Sequence, residues 1–191
     1  CSFARSLKTS NPLLDDLFKH VADKVEGLYD NWYLGQLGSN WTMAAADELA
    51  QYGRILEVPQ QVDFYKDKIK NADTRMFVII SDALRYEVAA TLAEQLRRET
   101  QAKVDLNSCS AIFPTVTKYG MAALLPHKDL TVEEKTNGLA VYADGTSTDA
   151  GYRDAILKKA NPASIAVKYK DIVLMKRQER SELIKGNEVV Y

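Results

Sequence analysis

Two short stretches carry the residues best suited to chemistry. In MFVIISDALRYE, residues 76–87, an apolar run stops at Asp82 and a helical pattern begins. In AIFPTVTKYGMAALLP, residues 111–126, a proline-bearing turn leads to the hydroxyls of Thr115 and Thr117 at the start of a helix. A carboxylate at a strand end sits where α/β sheets bind ligands, and it can equally cap the helix that follows. A threonine at a helix start lies among free N–H groups that favour an anion such as phosphate. It can attack phosphorus when a metal lowers its pKa, and it can equally be a plain cap. Taken separately, each stretch leaves both readings open.

The elements around them read as α/β. Residues 76–81 form an apolar run without alternation, as in a strand of a parallel sheet covered on both faces. Leu84, Val88, Leu92 and Leu96 line one face of a helix that ends near Glu99. Further strands are expected at 103–110, 138–143, 164–168 and 188–191, and helices at 117–125, 152–159 and 171–185. This alternation predicts a largely parallel sheet flanked by helices. A helical segment over residues 1–70 precedes the α/β part at 71–191. Its first helix opens at Asn11-Pro12 and buries Leu13, Leu14, Leu17, Phe18, Val21, Val25 and Leu28. The aromatics Tyr29, Trp32, Tyr33, Trp41 and Tyr52 lack neighbouring cations and read as packing between helices rather than a base-stacking surface.

Composition narrows the class. The 191 residues carry a net charge of −1, so no global basic field points to nucleic acid or an anionic membrane. The basic run Lys176, Arg177, Arg180 and Lys185 shares its helix with Glu179 and Glu182 and reads as a solvated face. Cys1 and Cys109 form no disulfide framework and no CxxC motif. No apolar run approaches the ~20 residues that span a bilayer. With no secretory signal in CSFARSLKTSN, a cytoplasmic location is expected. The DGTSTDAG turn holds Asp144, Gly145, Ser147 and Thr148, with helix capping by Thr148 or Asp149 favoured over a phosphate or partner contact.

ISDALRYEVA followed by FPTVTKYGMAALLP resembles the PglZ family of the bacterial BREX phage-defence systems, within the alkaline phosphatase superfamily. The likeness continues through ADGTSTDAGYRDAIL and back into the region around YDNWY, so it covers most of the chain. It implies an alkaline-phosphatase-like core and two divalent metals, usually zinc, at the carboxyl ends of a parallel sheet. On this resemblance Asp82 takes the place of a metal ligand. Thr117 takes that of the nucleophile, which also touches metal, with Thr115 as runner-up. The substrate class would be a phosphoester, whether nucleic acid, nucleotide or small molecule, and other defence-system proteins would be partners.

The superfamily site needs further Asp and His ligands. His20, in the N-terminal helix, and His127, beyond the far end of the Thr117 helix, are poor candidates. In PglZ relatives a strand resembling KGNEVVY runs into a Tyr-His-Asn motif with an Ile-Asp soon after. The chain stops at Tyr191, where that motif should begin. The expectation is a fragment of a larger metal-dependent phosphatase or phosphodiesterase, with an incomplete core, no stoichiometric metal and no activity of its own. A non-catalytic scaffold of the defence complex is the alternative, since fold does not prove chemistry. A receiver-like or nucleotide-binding module is weaker, because neither GxGxxG nor a Walker A motif is present.

Overall fold

Val, Ile and Phe at 76–80 favour an extended chain, and that chain finds a partner only at one end. In the computed structural model, which describes residues 15–136 and 138–191, β1 (Met76–Phe77) pairs in parallel with β6 (Val189–Val190). Pairing continues one residue further, where Val78 N–H donates to the Val190 carbonyl at 2.8 Å. β6 is the centre of a three-stranded parallel sheet whose other edge is β5 (Ser164–Ile165). Ile79 and Ile80 lie beyond the paired segment, and Ile79 is 89% exposed.

A second sheet is antiparallel. β2 (Leu130–Lys135) and β3 (Gly138–Ala143) pair along their lengths, and β4 (Thr146–Ser147) joins β3. The sequence reading expected β3 as a member of the parallel set. Instead Ala143 pairs with Thr146, leaving Asp144 and Gly145 as a two-residue loop with φ of 48° and 79°. Positive φ at both positions is what the right-handed twist of a tight hairpin requires, and Asp-Gly supplies it at low cost.

The helices of this unit are α3 (Tyr86–Glu99), α4 (Thr117–Ala123), α5 (Arg153–Ala160), α6 (Tyr169–Leu174) and α7 (Arg177–Ile184); α4 packs on β3 and α5 on β5. The single helix expected over 171–185 is interrupted at Met175, which is extended at ψ 143°. α7 restarts because the Lys176 N–H donates to the Glu179 carboxylate at 2.6 Å. Lys176, Arg177, Arg180 and Lys185 are all exposed, as a solvated face should be. Tyr65, Ile69, Leu125, Ala143, Ile156, Leu157 and Val189 form the hydrophobic core, with Met76, Val78 and Tyr191 packed against it.

The strand expected at 103–110 is absent. The segment has no ladder partner beyond a single bridge from Ser110 to Gln60, and an extended chain alone leaves its N–H and C=O groups to water. Arg97 holds its start by donating to the Val104 carbonyl at 2.9 and 3.1 Å.

The chain divides into two compact units between Leu56 and Glu57, rather than between 70 and 71. Residues 57–70 belong with the α/β unit because Tyr65 and Ile69 are part of its core. In the first unit, α1 (Asp15–Gly27), a π-helical stretch (Leu28–Leu34) and α2 (Gly35–Tyr52) follow one another without leaving the helical region. Ala22 and Ala45 are buried, but the aromatics expected to pack between helices, Tyr29, Trp32, Tyr33, Trp41 and Tyr52, are all exposed. Trp32 is 65% exposed, and Tyr29 stacks on Tyr33 one turn away at 5.6 Å. The Asn11-Pro12 start and Leu13 and Leu14 lie outside the described residues. No described helix is long and apolar enough to cross a membrane.

Candidate active site

Asp82 and Thr117 meet. The Thr117 hydroxyl donates to the Asp82 carboxylate, with Oγ1 to Oδ2 at 3.1 Å, across 35 positions of sequence. Both residues are exposed. The other carboxylate oxygen, Oδ1, accepts from the Ala83 N–H at 3.1 Å. This local bond accompanies an unusual backbone, for Ala83 sits at φ 58°. A residue with a Cβ loses ~1–2 kcal/mol there, so the turn that presents Asp82 is held by its surroundings rather than by local preference.

The capping readings give way to this geometry. α3 begins at Tyr86 with Arg85 at its cap position, three residues beyond the start expected for it, so Asp82 caps no helix. Val116 occupies the cap position of α4 and makes no side-chain cap bond, while Thr117 is the first helical residue. Its hydroxyl is therefore available to Asp82. Thr115 is exposed on the approach to α4, and it is Thr117 whose hydroxyl donates to Asp82.

Two neighbours steady the pair. Gln61 accepts from the Ile112 N–H through Oε1 at 3.2 Å and donates to the Gly120 carbonyl through Nε2 at 3.4 Å. It thus ties the turn before α4 to the body of the helix. Nothing in the sequence pointed to it, because 57–70 read as part of the helical segment. Lys118, beside Thr117, donates to the Leu139 carbonyl at 2.5 Å and anchors α4 to β3.

The remaining sequence candidates lie elsewhere. His127 follows the C-terminal end of α4, which at 1.5 Å per residue is roughly 10 Å long. Its Nδ1 pairs with the Leu125 carbonyl at 2.7 Å, so Nδ1 carries the proton. His20 is exposed on α1, in the other unit. Asp144 serves the hairpin: its carboxylate accepts from the N–H groups of Lys128 and Asp129, each at 3.0 Å. These bonds hold its pKa below the ordinary carboxylate range. Neither Thr148 nor Asp149 caps α5, whose cap position is Tyr152 without a side-chain bond. Thr148 is buried and donates to the Val141 carbonyl at 2.9 Å.

One carboxylate and one hydroxyl are oxygen donors of the kind divalent ions accept. They fit part of a metal site. Zinc takes about four donors, and among the described residues no group of three His, Cys, Asp or Glu could hold an ion.

An α/β unit with a parallel sheet and flanking helices is consistent with an incomplete alkaline-phosphatase-like core. The model of the BREX system PglZ alkaline phosphatase-like domain matches residues 63–191. The chain belongs to the PglZ family. It is 43% identical over 182 residues to the alkaline phosphatase-like protein BrxZ of Escherichia coli O9:H4 (strain HS), covering 92% of this chain and 21% of that protein. It is 37% identical over 179 residues to the alkaline phosphatase-like protein PglZ of Bacillus cereus (strain H3081.97), again 92% and 21%. The chain thus spans 21% of the length of these curated relatives. No solved structure matches.

Proposed function

We propose that this chain supplies the nucleophile-bearing part of a metal-dependent phosphoester hydrolase that acts in phage defence. The observation that carries this reading is the Thr117–Asp82 hydrogen bond, which puts a hydroxyl against a carboxylate at an exposed position. Thr117 Oγ1 attacks phosphorus in line and loses its proton to solvent, forming an Oγ1–P bond as the bond from phosphorus to the leaving oxygen breaks and that oxygen takes up a proton from solvent. The resulting phosphothreonine is hydrolysed by water. Asp82 orients the hydroxyl before attack, and with Thr117 it contributes two oxygen donors to a divalent-metal site. When bound, two such ions, zinc by expectation, lower the hydroxyl's pKa and stabilise the charge on the attacking and leaving oxygens. Gln61 and Lys118 keep α4 in register with Asp82. The substrate is a phosphoester in nucleic acid, a nucleotide or a smaller molecule, and the partners are other proteins of the defence system.

The test is made in the full-length protein. Thr117→Ala should abolish hydrolysis of a chromogenic phosphodiester, Thr117→Ser should retain part of it, and Thr115→Ala should leave most of it. Asp82→Asn should lower both the rate and the metal content by elemental analysis. A full-length protein that carries metal yet never turns over a monoester or diester would favour the scaffold role instead.

A further inference from the structure

Helix α3 is seated by its small side chains and displays its large ones. Ala93 is buried and Ala89 and Ala90 are half-buried, whereas Val88, Leu92 and Leu96 are each 39–48% exposed. Their spacing of four keeps these three on one stripe of the helix, and Glu87, Glu94, Arg97 and Arg98 fall on the opposite side. The stripe is therefore a continuous apolar face rather than a scatter of single residues, and such faces mark surfaces that something else covers. The strand that leads towards α3 is uncovered as well. β1 is an edge of the parallel sheet, and its apolar run goes on through Ile79 and Ile80, past the last ladder bond at Val78. Phe77 and Ile79 are both exposed.

We infer that further residues of the full-length protein's own chain cover the Val88–Leu92–Leu96 face of α3 and close the free edge of β1. The chain spans 21% of the length of its curated relatives, so the greater part of such a protein lies outside it. Strands of a parallel sheet are covered on both faces within their own domain. An open apolar edge invites aggregation, so its cover has to be present whenever the protein is. A segment of the same chain meets that condition, because covalent linkage holds it at high effective concentration. A partner that comes and goes, or a second copy lost on dilution, leaves face and edge open each time it departs. The inference is independent of whether Thr117 acts as a nucleophile.

Thiol labelling of the full-length protein tests this. Ile79→Cys, Leu92→Cys and Leu96→Cys are made singly, with Arg98→Cys as the control on the opposite side of α3. Each is treated with a maleimide under native conditions, and labelling at the substituted position is read by peptide mass spectrometry. Labelling at 79, 92 and 96 should be on the order of 100-fold slower than at 98, at every protein concentration and with no other protein added. Denaturant should bring all four to similar rates. Hydroxyl-radical footprinting of the unsubstituted protein should spare Leu92 and Leu96 in the same way, which removes any effect of the substitutions themselves. Native rates at 92 and 96 equal to that at 98 would overturn the proposal. So would protection that appears only as the protein dimerises, or only when other defence-system proteins are added, since the cover would then be a second copy or a partner.

Discussion

Replacing Asp144 separates a structural from a functional reading of the DGTSTDAG turn. Its carboxylate accepts two backbone N–H groups, from Lys128 and Asp129, and its own N–H donates to the Asp129 carbonyl at 3.1 Å. Hydrogen bonds to a charged group contribute ~1.5–3 kcal/mol each, and water competes at an exposed site, so the pair together is taken at ~1.5 kcal/mol. Asp144→Ala also leaves a Cβ residue without a helpful side chain at φ 48°, adding ~1 kcal/mol. Asn keeps an acceptor oxygen and tolerates this backbone, so Asp144→Asn should cost only ~0.5 kcal/mol. Since 1.4 kcal/mol is tenfold, amide exchange at residues 128–129 should rise roughly 50-fold for Ala and about 2-fold for Asn when local opening governs exchange. Hydrogen–deuterium exchange mass spectrometry of the full-length protein reads this directly. The pH dependence has a fixed sign. Because the folded pKa of Asp144 is lowered by these bonds, their stabilisation is present above the unfolded value of ~3.9 and is lost as pH falls through the folded value. The gap between the native protein and its Asp144→Ala variant should therefore be the same at pH 7 and pH 5 and shrink only in stronger acid. Unchanged exchange at 128–129 in the Ala variant, or a gap already closed at pH 5, would refute the reasoning. Hydrolysis that collapses while exchange is unchanged would make Asp144 a substrate or partner contact.

Other positions give sharper local tests. Leu157 is fully buried, so Leu157→Ala should destabilise the α/β unit by ~3 kcal/mol, read as a lower denaturant midpoint in pulse proteolysis. Tyr191 donates to the Leu124 carbonyl at 3.0 Å, and Tyr191→Phe should cost ~1 kcal/mol in the same assay. Burial, helped by nearby Tyr65, pushes the Tyr191 phenol well above the ordinary tyrosine range. Its stabilisation is thus full below the unfolded value of ~10 and falls as pH rises towards the folded one, a decline that the Phe variant should lack. Gln61→Ala removes the tie between Ile112 and Gly120, so exchange across 110–120 should rise about 5-fold for a loss of ~1 kcal/mol. Unchanged exchange there would remove Gln61 from the support of α4.

Much of the fold was legible because local pattern carries it. The apolar run before Asp82, the leucine spacing of α3, the Pro126 stop after α4 and the Asp-Gly turn each follow from backbone and solvent preferences within a few residues. The sequence also marked Asp82 and Thr117 as a pair to watch, and the structure joins them by a hydrogen bond. Partner choice was not legible. Residues 103–110 have strand-like composition yet pair only at Ser110, and β3 turned back into an antiparallel hairpin, because a strand is completed by what lies beside it. Tyr65 and Ile69 joined the α/β core for the same reason, since helical spacing names a buried face and not the surface it meets. Whether Asp82 caps, and whether Thr117 caps, also depended on tertiary structure. The chain bends at Ala83 and delays α3 to Tyr86, which releases the carboxylate to receive a hydroxyl from 35 residues away. No local preference encodes that bond. It exists because the tertiary structure brings the turn after β1 against the start of α4 and holds Ala83 in a conformation it would not choose alone.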